Sequence, residues 1–309
     1  MNKEPPILGT AARVMVLGGT GMLGSMVVEI LSQCNQIDLY CTTRQCMPLK
    51  DNVNWIQFDF DKSSIAQIKD LLNEMDYVIN CIGLIKQKVT KESLQTFSYL
   101  NTFLPMLINK YANELNFKYI QIGTDCVFNG NSEHYLENQI PDATDVYGIS
   151  KGLSERNLDN ALLLRCSIIG PEYKSNFSLL EWFISNGIGK NTNGFSNHFW
   201  NGISTLSFAN IVKGIIINNW FQVGVHHLVP IGTISKYELL SLFKEVFHLS
   251  NYQLSNYKDT SSINRTLRTV DNTRNLFIWN LGGYQSVPTI EDIVKELAIF
   301  YPVYKSRWR

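Results

Sequence analysis

Nothing in the charge balance of this 309-residue chain points to a polyanionic partner, because 27 basic residues are matched by 27 acidic ones. Nucleic acid and anionic membrane surfaces are therefore not expected as main partners. Long apolar runs are also missing. The longest, such as Ile215-Ile216-Ile217, fall far short of the roughly 20 residues a spanning helix needs. The opening residues Met1 to Ala12 are polar, contain Pro5-Pro6 and lack the apolar stretch of a signal peptide. The six cysteines (34, 41, 46, 81, 126 and 166) form no Cys-x-x-Cys pair and have no histidines at metal spacing. Cys81, Cys126 and Cys166 lie in or just after apolar, strand-like runs. They read as buried thiols of a reducing compartment, and a cytoplasmic location is expected. His226-His227 sits in a strand pattern, so the two rings point to opposite faces and cannot share an ion. No metal is expected. What remains is 45% hydrophobic residues, ample for one large domain or two intimately joined ones.

The positive signals begin after a tail over 1–12. Arg13 to Leu17 reads as a short buried strand, followed by Gly18-Gly19-Thr20-Gly21-Met22-Leu23-Gly24 and a helical pattern to about Gln33. Glycines at 18, 21 and 24 suit an ordinary tight turn. In a strand–turn–helix setting they also let backbone approach a pyrophosphate, which the free N–H groups of the helix start then bind. A second strand, Ile37 to Cys41, ends in Thr42-Thr43-Arg44 where a dinucleotide fold often carries an acid for the ribose hydroxyls. Arg44 is either a solvated surface residue or a partner for a 2′-phosphate, which favours NADP(H). A third strand, Val53 to Phe58, leads to Asp59-Phe60, and Asp59 could accept from an adenine amino group or cap the helix starting near Ser63. Further strands are read over 76–83, 117–122, 161–169 and 224–228, with a helix over 94–115 carrying Asn101. A helix then bears Tyr147-x-x-x-Lys151, one helical turn apart and so on one face. Such pairs are common on exposed helices. Here, however, they share the carboxyl-end side of the pattern with the other motifs. Alternating strands and helices of these lengths predict an α/β fold, a doubly wound parallel sheet of Rossmann type.

With these motifs the chain resembles the extended short-chain dehydrogenase/reductases, and within them the dTDP-4-dehydrorhamnose reductase group. The glycine-rich turn, Asn101, Tyr147-x-x-x-Lys151 and Arg165-x-Ser167-x-x-Gly170 are shared with the superfamily. Gly123-Thr124-Asp125-Cys126-Val127-Phe128-Asn129-Gly130 is similar to the reductases' Ser-Thr-Asp-Tyr-Val-Phe-x-Gly, with Gly123 in place of serine and Cys126 in place of tyrosine. The related 4,6-dehydratases carry Thr-Asp-Glu there. Cys126 is a poor substitute for that carboxylate, which argues against dehydration.

The resemblance implies an NADP-binding portion over 13–172, 203–232 and 266–283. A smaller α/β substrate-binding portion is implied over 173–202, 233–265 and 284–309. It implies catalysis by Thr124, Tyr147 and Lys151. Cofactor contacts are implied from Gly18, Thr20, Gly21, Met22, Leu23, Gly24, Thr43, Arg44, Asp59, Phe60, Cys81, Ile82, Gly83 and Cys166 as well as Tyr147 and Lys151. Substrate contacts are implied from Asp125, Asn197, Trp200 and Arg265. Arg265 precedes Thr266, where the family has proline. The activity implied is NADPH-dependent reduction of a nucleoside-diphosphate 4-keto-6-deoxy sugar, in biosynthesis of a deoxy sugar for a surface polysaccharide or glycan, with a homodimer possible. Lysine is expected to lower the tyrosine pKa and to hold the nicotinamide ribose. A nucleotide-sugar epimerase and a non-catalytic NADP-binding regulatory subunit are the alternatives; the regulatory subunit of methionine adenosyltransferase is similar to these reductases. Replacing Arg44 with Ala should erase most of the preference for NADPH and leave NADH affinity nearly unchanged, measured by titrating both cofactors.

Overall fold

The computed structural model describes residues 11–45, 51–86, 94–187, 189 and 191–308. Cys46 and nearly all of the expected tail lie outside them. Strand β1 (Ala12–Leu17) is buried from Val14 onward, and alternation sorts its side chains into two cores. Val14 and Val16 join the cluster containing α1 (Met22–Leu31), while Met15 and Leu17 join the opposite one. A strand covered on both faces needs apolar residues at every position, which is why it reads as a continuous run.

Six more strands complete the sheet: β2 (Ile37–Thr43), β3 (Asn54–Gln57), β4 (Tyr77–Asn80), β5 (Lys118–Thr124), β6 (Ala161–Cys166) and the edge strand Gly224–His227. Their order is edge strand, β6, β5, β4, β1, β2, β3, and every pairing is parallel. The chain therefore winds outward from β1 one way and from β4 the other. The carboxyl ends of these two neighbours border the crevice where such sheets bind ligands. The doubly wound sheet read from the sequence is the observed fold.

One core packs α1 with the helices Thr205–Ile217 and Asn272–Leu281, and the other packs α2 (Ile65–Leu72) with the helical residues after 99. The single helix expected over 94–115 is instead α3 (Leu94–Ser98), a π turn at Tyr99–Phe103 and α4 (Leu104–Leu115). The wide turn places Asn101 in full burial, where its amide bonds both backbone groups of Leu84 at 2.9 and 3.0 Å. A π turn adds a residue without ending a helix, so apolar spacing alone does not reveal it.

Small sheets flank the main one. His198–Trp200 lies between Ile234–Ser235 and Ile263–Asn264, and Asn191–Phe195 pairs with Gln253–Tyr257. Ser235 and Glu238 form a capping box that opens the helix Lys236–Val246. The final helix, Ile290–Arg307, also clasps α1. Tyr304 and Ser25 share a 2.6 Å hydrogen bond, and Arg307 meets the buried Glu29 at 2.5 Å.

Helix α5 (Val146–Glu155) is tied to β6 by a buried ion pair, Arg165 Nη2 to Glu155 Oε2 at 2.7 Å. On the other side of the guanidinium, Arg165 Nη1 lies 2.8 Å from His227 Nε2. Arginine can only donate, so Nε2 accepts and the ring proton sits on Nδ1, which donates to the Arg268 carbonyl at 2.7 Å. Burial, and then the Arg165 charge, push the His227 pKa down to about 4. The unfolded chain thus binds a proton at His227 that the folded chain refuses. Stability should fall as pH drops from the ordinary histidine value toward 4, with a slope reaching about 1.4 kcal/mol per pH unit from this residue. In denaturant titrations across that window, His227→Gln should flatten the curve by that amount.

Candidate active site

The floor of the crevice is built from residues that leave room for backbone. Gly18 has φ +77, in the left-handed region that favours glycine, and a Cβ at Gly24 would collide with the Gly18 carbonyl oxygen. Gly21 precedes α1 as a cap residue without a side-chain bond, so no side chain competes for the first N–H groups at Met22 and Leu23. The turn is braced from β2, where Thr42 accepts from Gly18 N–H at 2.9 Å and Thr20 and Thr43 hydroxyls stand 3.4 Å apart. Arg44 follows, exposed and without an ion-pair partner among the described residues. A dinucleotide fits these features: an uncapped helix start for its pyrophosphate and a free guanidinium at the end of β2.

From the turn the floor continues toward the chemistry. Ile82 Cγ1 lies 2.9 Å from where a Cβ on Gly18 would stand, and Lys151 Nζ lies 3.0 Å from that position on Gly83. Cys81 ends this segment, its thiol pushed up to about 12 by burial against the opposing Lys151 charge. Asp59 and Phe60 are less available. Asp59 Oδ1 accepts from Asp61 N–H at 3.3 Å in a local turn, Phe60 is buried in the core, and Ser64 rather than Asp59 caps α2.

The catalytic candidates meet because α5 approaches the turn after β5 very closely. A Cβ at Gly148 would collide with the Cys126 carbonyl oxygen and with Ala143 Cβ. Asp145 caps the helix, accepting from Gly148 N–H at 3.1 Å. This contact sets the half-buried Tyr147 beside Thr124, whose hydroxyl is near enough to act on the phenol's ionisation. Burial, followed by the neighbouring Cys126, Asp125 and Glu155, raises the Tyr147 pKa well above the ordinary value, and Thr124 only partly opposes this. The expectation that Lys151 lowers this pKa is corrected. Burial dominates the tyrosine, and the lysine responds to burial too, its pKa falling to about 8 with Glu155 opposing. Glu155 Oε1 has no partner among the described residues and lies 3.0 Å from where a Cβ on Gly123 would stand.

Asp125, beside Thr124, is raised by burial and held partly in check by Lys236, Arg265, Thr124 and Ser167. Cys166 is buried and its thiol raised. Trp200 is buried at the end of the strand His198–Trp200, donating to Ser167 Oγ at 3.0 Å. Arg265 spends Nε on the Phe128 carbonyl at 2.7 Å and Nη2 on that of Asn129 at 3.3 Å. Asn197 is committed to the distant loop after the strand Gln253–Tyr257, with bonds to Asp259 and Ser261. Lys236 was not legible as a site residue. Its signal was a lysine in the first turn of a helix, where the dipole disfavours a cation.

The family model of the RmlD substrate binding domain matches residues 12–274. The chain belongs to this family. Its fold is that of an extended short-chain dehydrogenase/reductase, and the dTDP-4-dehydrorhamnose reductases resembled in sequence are similar in structure. The Clostridium acetobutylicum enzyme of that name superposes with TM-score 0.70 at 17% identity, covering 94% of this chain and 99% of that one. The Bacillus anthracis enzyme, solved in complex with NADP, gives TM-score 0.70 at 16% identity over 93% and 99%. Among curated proteins, methionine adenosyltransferase 2 subunit beta of Mus musculus is 26% identical over 158 residues, 49% of this chain and 45% of that protein. The chain thus spans about half the length of the curated relatives it matches. No helix among the described residues of this RmlD-family chain is long and apolar enough to cross a membrane.

The close approach at Gly148 is testable. Gly148→Ala should cost about 1–3 kcal/mol of stability through overpacking, whereas Ile149→Ala, next to it and 52% exposed, should cost little. Denaturation midpoints of the two variants distinguish the site-forming contact from a general effect on α5.

Proposed function

We propose that the chain is an NADPH-dependent reductase of the keto group of a nucleoside-diphosphate 4-keto-6-deoxy sugar. The observation that carries this reading is a tyrosine kept protonated by burial, next to Thr124 and on the same helix face as Lys151. A ketone oxygen placed against this group gains a proton from Tyr147 and a hydrogen bond from the Thr124 hydroxyl as negative charge develops. Lys151, next to Gly83 at the end of the glycine-lined floor, is placed to hold ribose hydroxyls with its ammonium. Bound along that floor, reduced nicotinamide would supply the hydride to the carbonyl carbon. Exposed Arg44 supports NADP(H) over NAD(H) through charge-assisted bonds to a 2′-phosphate. The NADP in the Bacillus anthracis relative agrees with this choice.

A regulatory subunit is the second reading, and the curated subunit-beta relatives favour it. The two readings part on turnover. With NADPH and a panel of dTDP-, UDP-, GDP- and CDP-4-keto-6-deoxy sugars, a reductase consumes the reduced cofactor and a regulatory subunit only binds it. Tyr147→Phe should lower that consumption by about 10²–10⁴-fold with NADPH affinity retained. Full activity in this variant would remove Tyr147 from the mechanism. The pH profile should show an alkaline fall near 8, because Lys151 is an ammonium below its lowered pKa and neutral above it. The tyrosine, raised by burial, should keep its proton beyond that point.

A further inference from the structure

Lys236 is a cation that the reduction just described does not use. It is the first residue of the helix Lys236–Val246, directly after the Ser235 cap. A cation in a first turn opposes the helix dipole, and the capping box would form with any residue at this position, because it uses only Ser235 and Glu238. The side chain extends over the Trp200 ring, with Nζ 5.5 Å from the ring centroid. Trp200 is itself fixed, its indole N–H bonded to Ser167 Oγ at 3.0 Å. Pairing of Thr124 with Cys166 sets the next residues, Asp125 and Ser167, side by side at the ends of β5 and β6. Asp125, Ser167, Trp200 and Lys236 therefore form one connected wall beside Thr124 and Tyr147.

Asp125 and Lys236 carry opposite charges on this wall and do not close into an ion pair. Asp125 and Lys236 are near enough to influence each other's ionisation, yet among the described residues neither takes part in an ion pair within 4.0 Å. Burial works against both charges, and Cys126 is the other group acting on the lysine from the Asp125 side. A held-open pair of this kind offers an acceptor on one side and three donors on the other. It is poorly suited to an anion, which the carboxylate would repel. It suits a neutral group that can donate and accept at adjacent atoms, as neighbouring hydroxyls of a sugar ring do.

We propose that Lys236 determines substrate specificity by binding ring hydroxyls of the hexose, with Asp125 accepting from the same edge of the sugar. This rests on the nucleotide-sugar reading above and adds which part of the substrate the second portion of the chain reads. Arg265, whose Nε and Nη2 are bonded to the Phe128 and Asn129 carbonyls, lies on the same side and is left for the phosphates.

The test compares wild type with Lys236→Met and Lys236→Gln by calorimetry in the presence of NADPH. The probes are dTDP-glucose, UDP-glucose and GDP-mannose, each against its bare nucleoside diphosphate. Charged hydrogen bonds to a ligand should make the sugar nucleotide bind about tenfold more weakly to either variant. The bare diphosphate and NADPH should bind as before, and circular dichroism should confirm an unchanged fold. Equal weakening of sugar nucleotide and bare diphosphate would assign Lys236 to the phosphates and overturn the proposal. So would unchanged affinity for both. If wild type binds none of the sugar nucleotides, the nucleotide-sugar reading falls and this inference with it. Weakening confined to the sugar nucleotide upholds both.

Discussion

Helix α5 carries the tyrosine and the lysine, and the site exists only where that helix is held. At its far end the Glu155–Arg165 pair is buried from both sides, at 4% and 2% side-chain exposure. Burying two charges is costly, and one side of such a pair removed alone leaves the other stranded. Here the guanidinium is further satisfied by His227, and that ring by the Arg268 carbonyl, so the cost is spread over a chain of bonds crossing from α5 to the edge strand. At its near end the helix rests on the Cys126 carbonyl through the bare backbone of Gly148. An ion pair fixes one end and an absent side chain fixes the other. Between them Tyr147 is brought to Thr124.

Burial then bears on the protonation states of both groups. The same burial that raises the phenol lowers the ammonium, because each is disfavoured in its charged form. A protonated tyrosine is the form a ketone reduction requires, whereas an oxidation in reverse would need the phenolate. The lysine works closest to its limit, and Glu155 is the neighbour that keeps it charged. Glu155 thus serves twice, through Oε2 to Arg165 and through its charge on Lys151, while Oε1 faces the bare position of Gly123.

Local spacing made much of this readable in advance. Glycines at fixed offsets after a strand, a Tyr-x-x-x-Lys turn and a run of buried strands each depend on residues near one another in the chain. Family and fold followed from them. The sequence was silent where partners are far apart. Asn101 meets Leu84 across 17 positions from within a π segment. Lys236 lies over Trp200 and acts on Asp125, both far from it in the chain. Asn197 looked available for substrate, yet its amide is spent on a loop more than 60 residues away. Spacing also overstated one effect: four residues apart on a helix means a shared face, but it does not rank a neighbouring charge against desolvation.

The most direct measurement is the fate of a labelled hydrogen. NADPH carrying deuterium at the transferable position of the nicotinamide is incubated with the protein and a nucleoside-diphosphate 4-keto-6-deoxy sugar, and the product is read by NMR. A reductase places one deuterium on the former carbonyl carbon, on a single face of the ring. A protein that binds the labelled cofactor but leaves every sugar unlabelled would contradict the account and stand as a binding subunit.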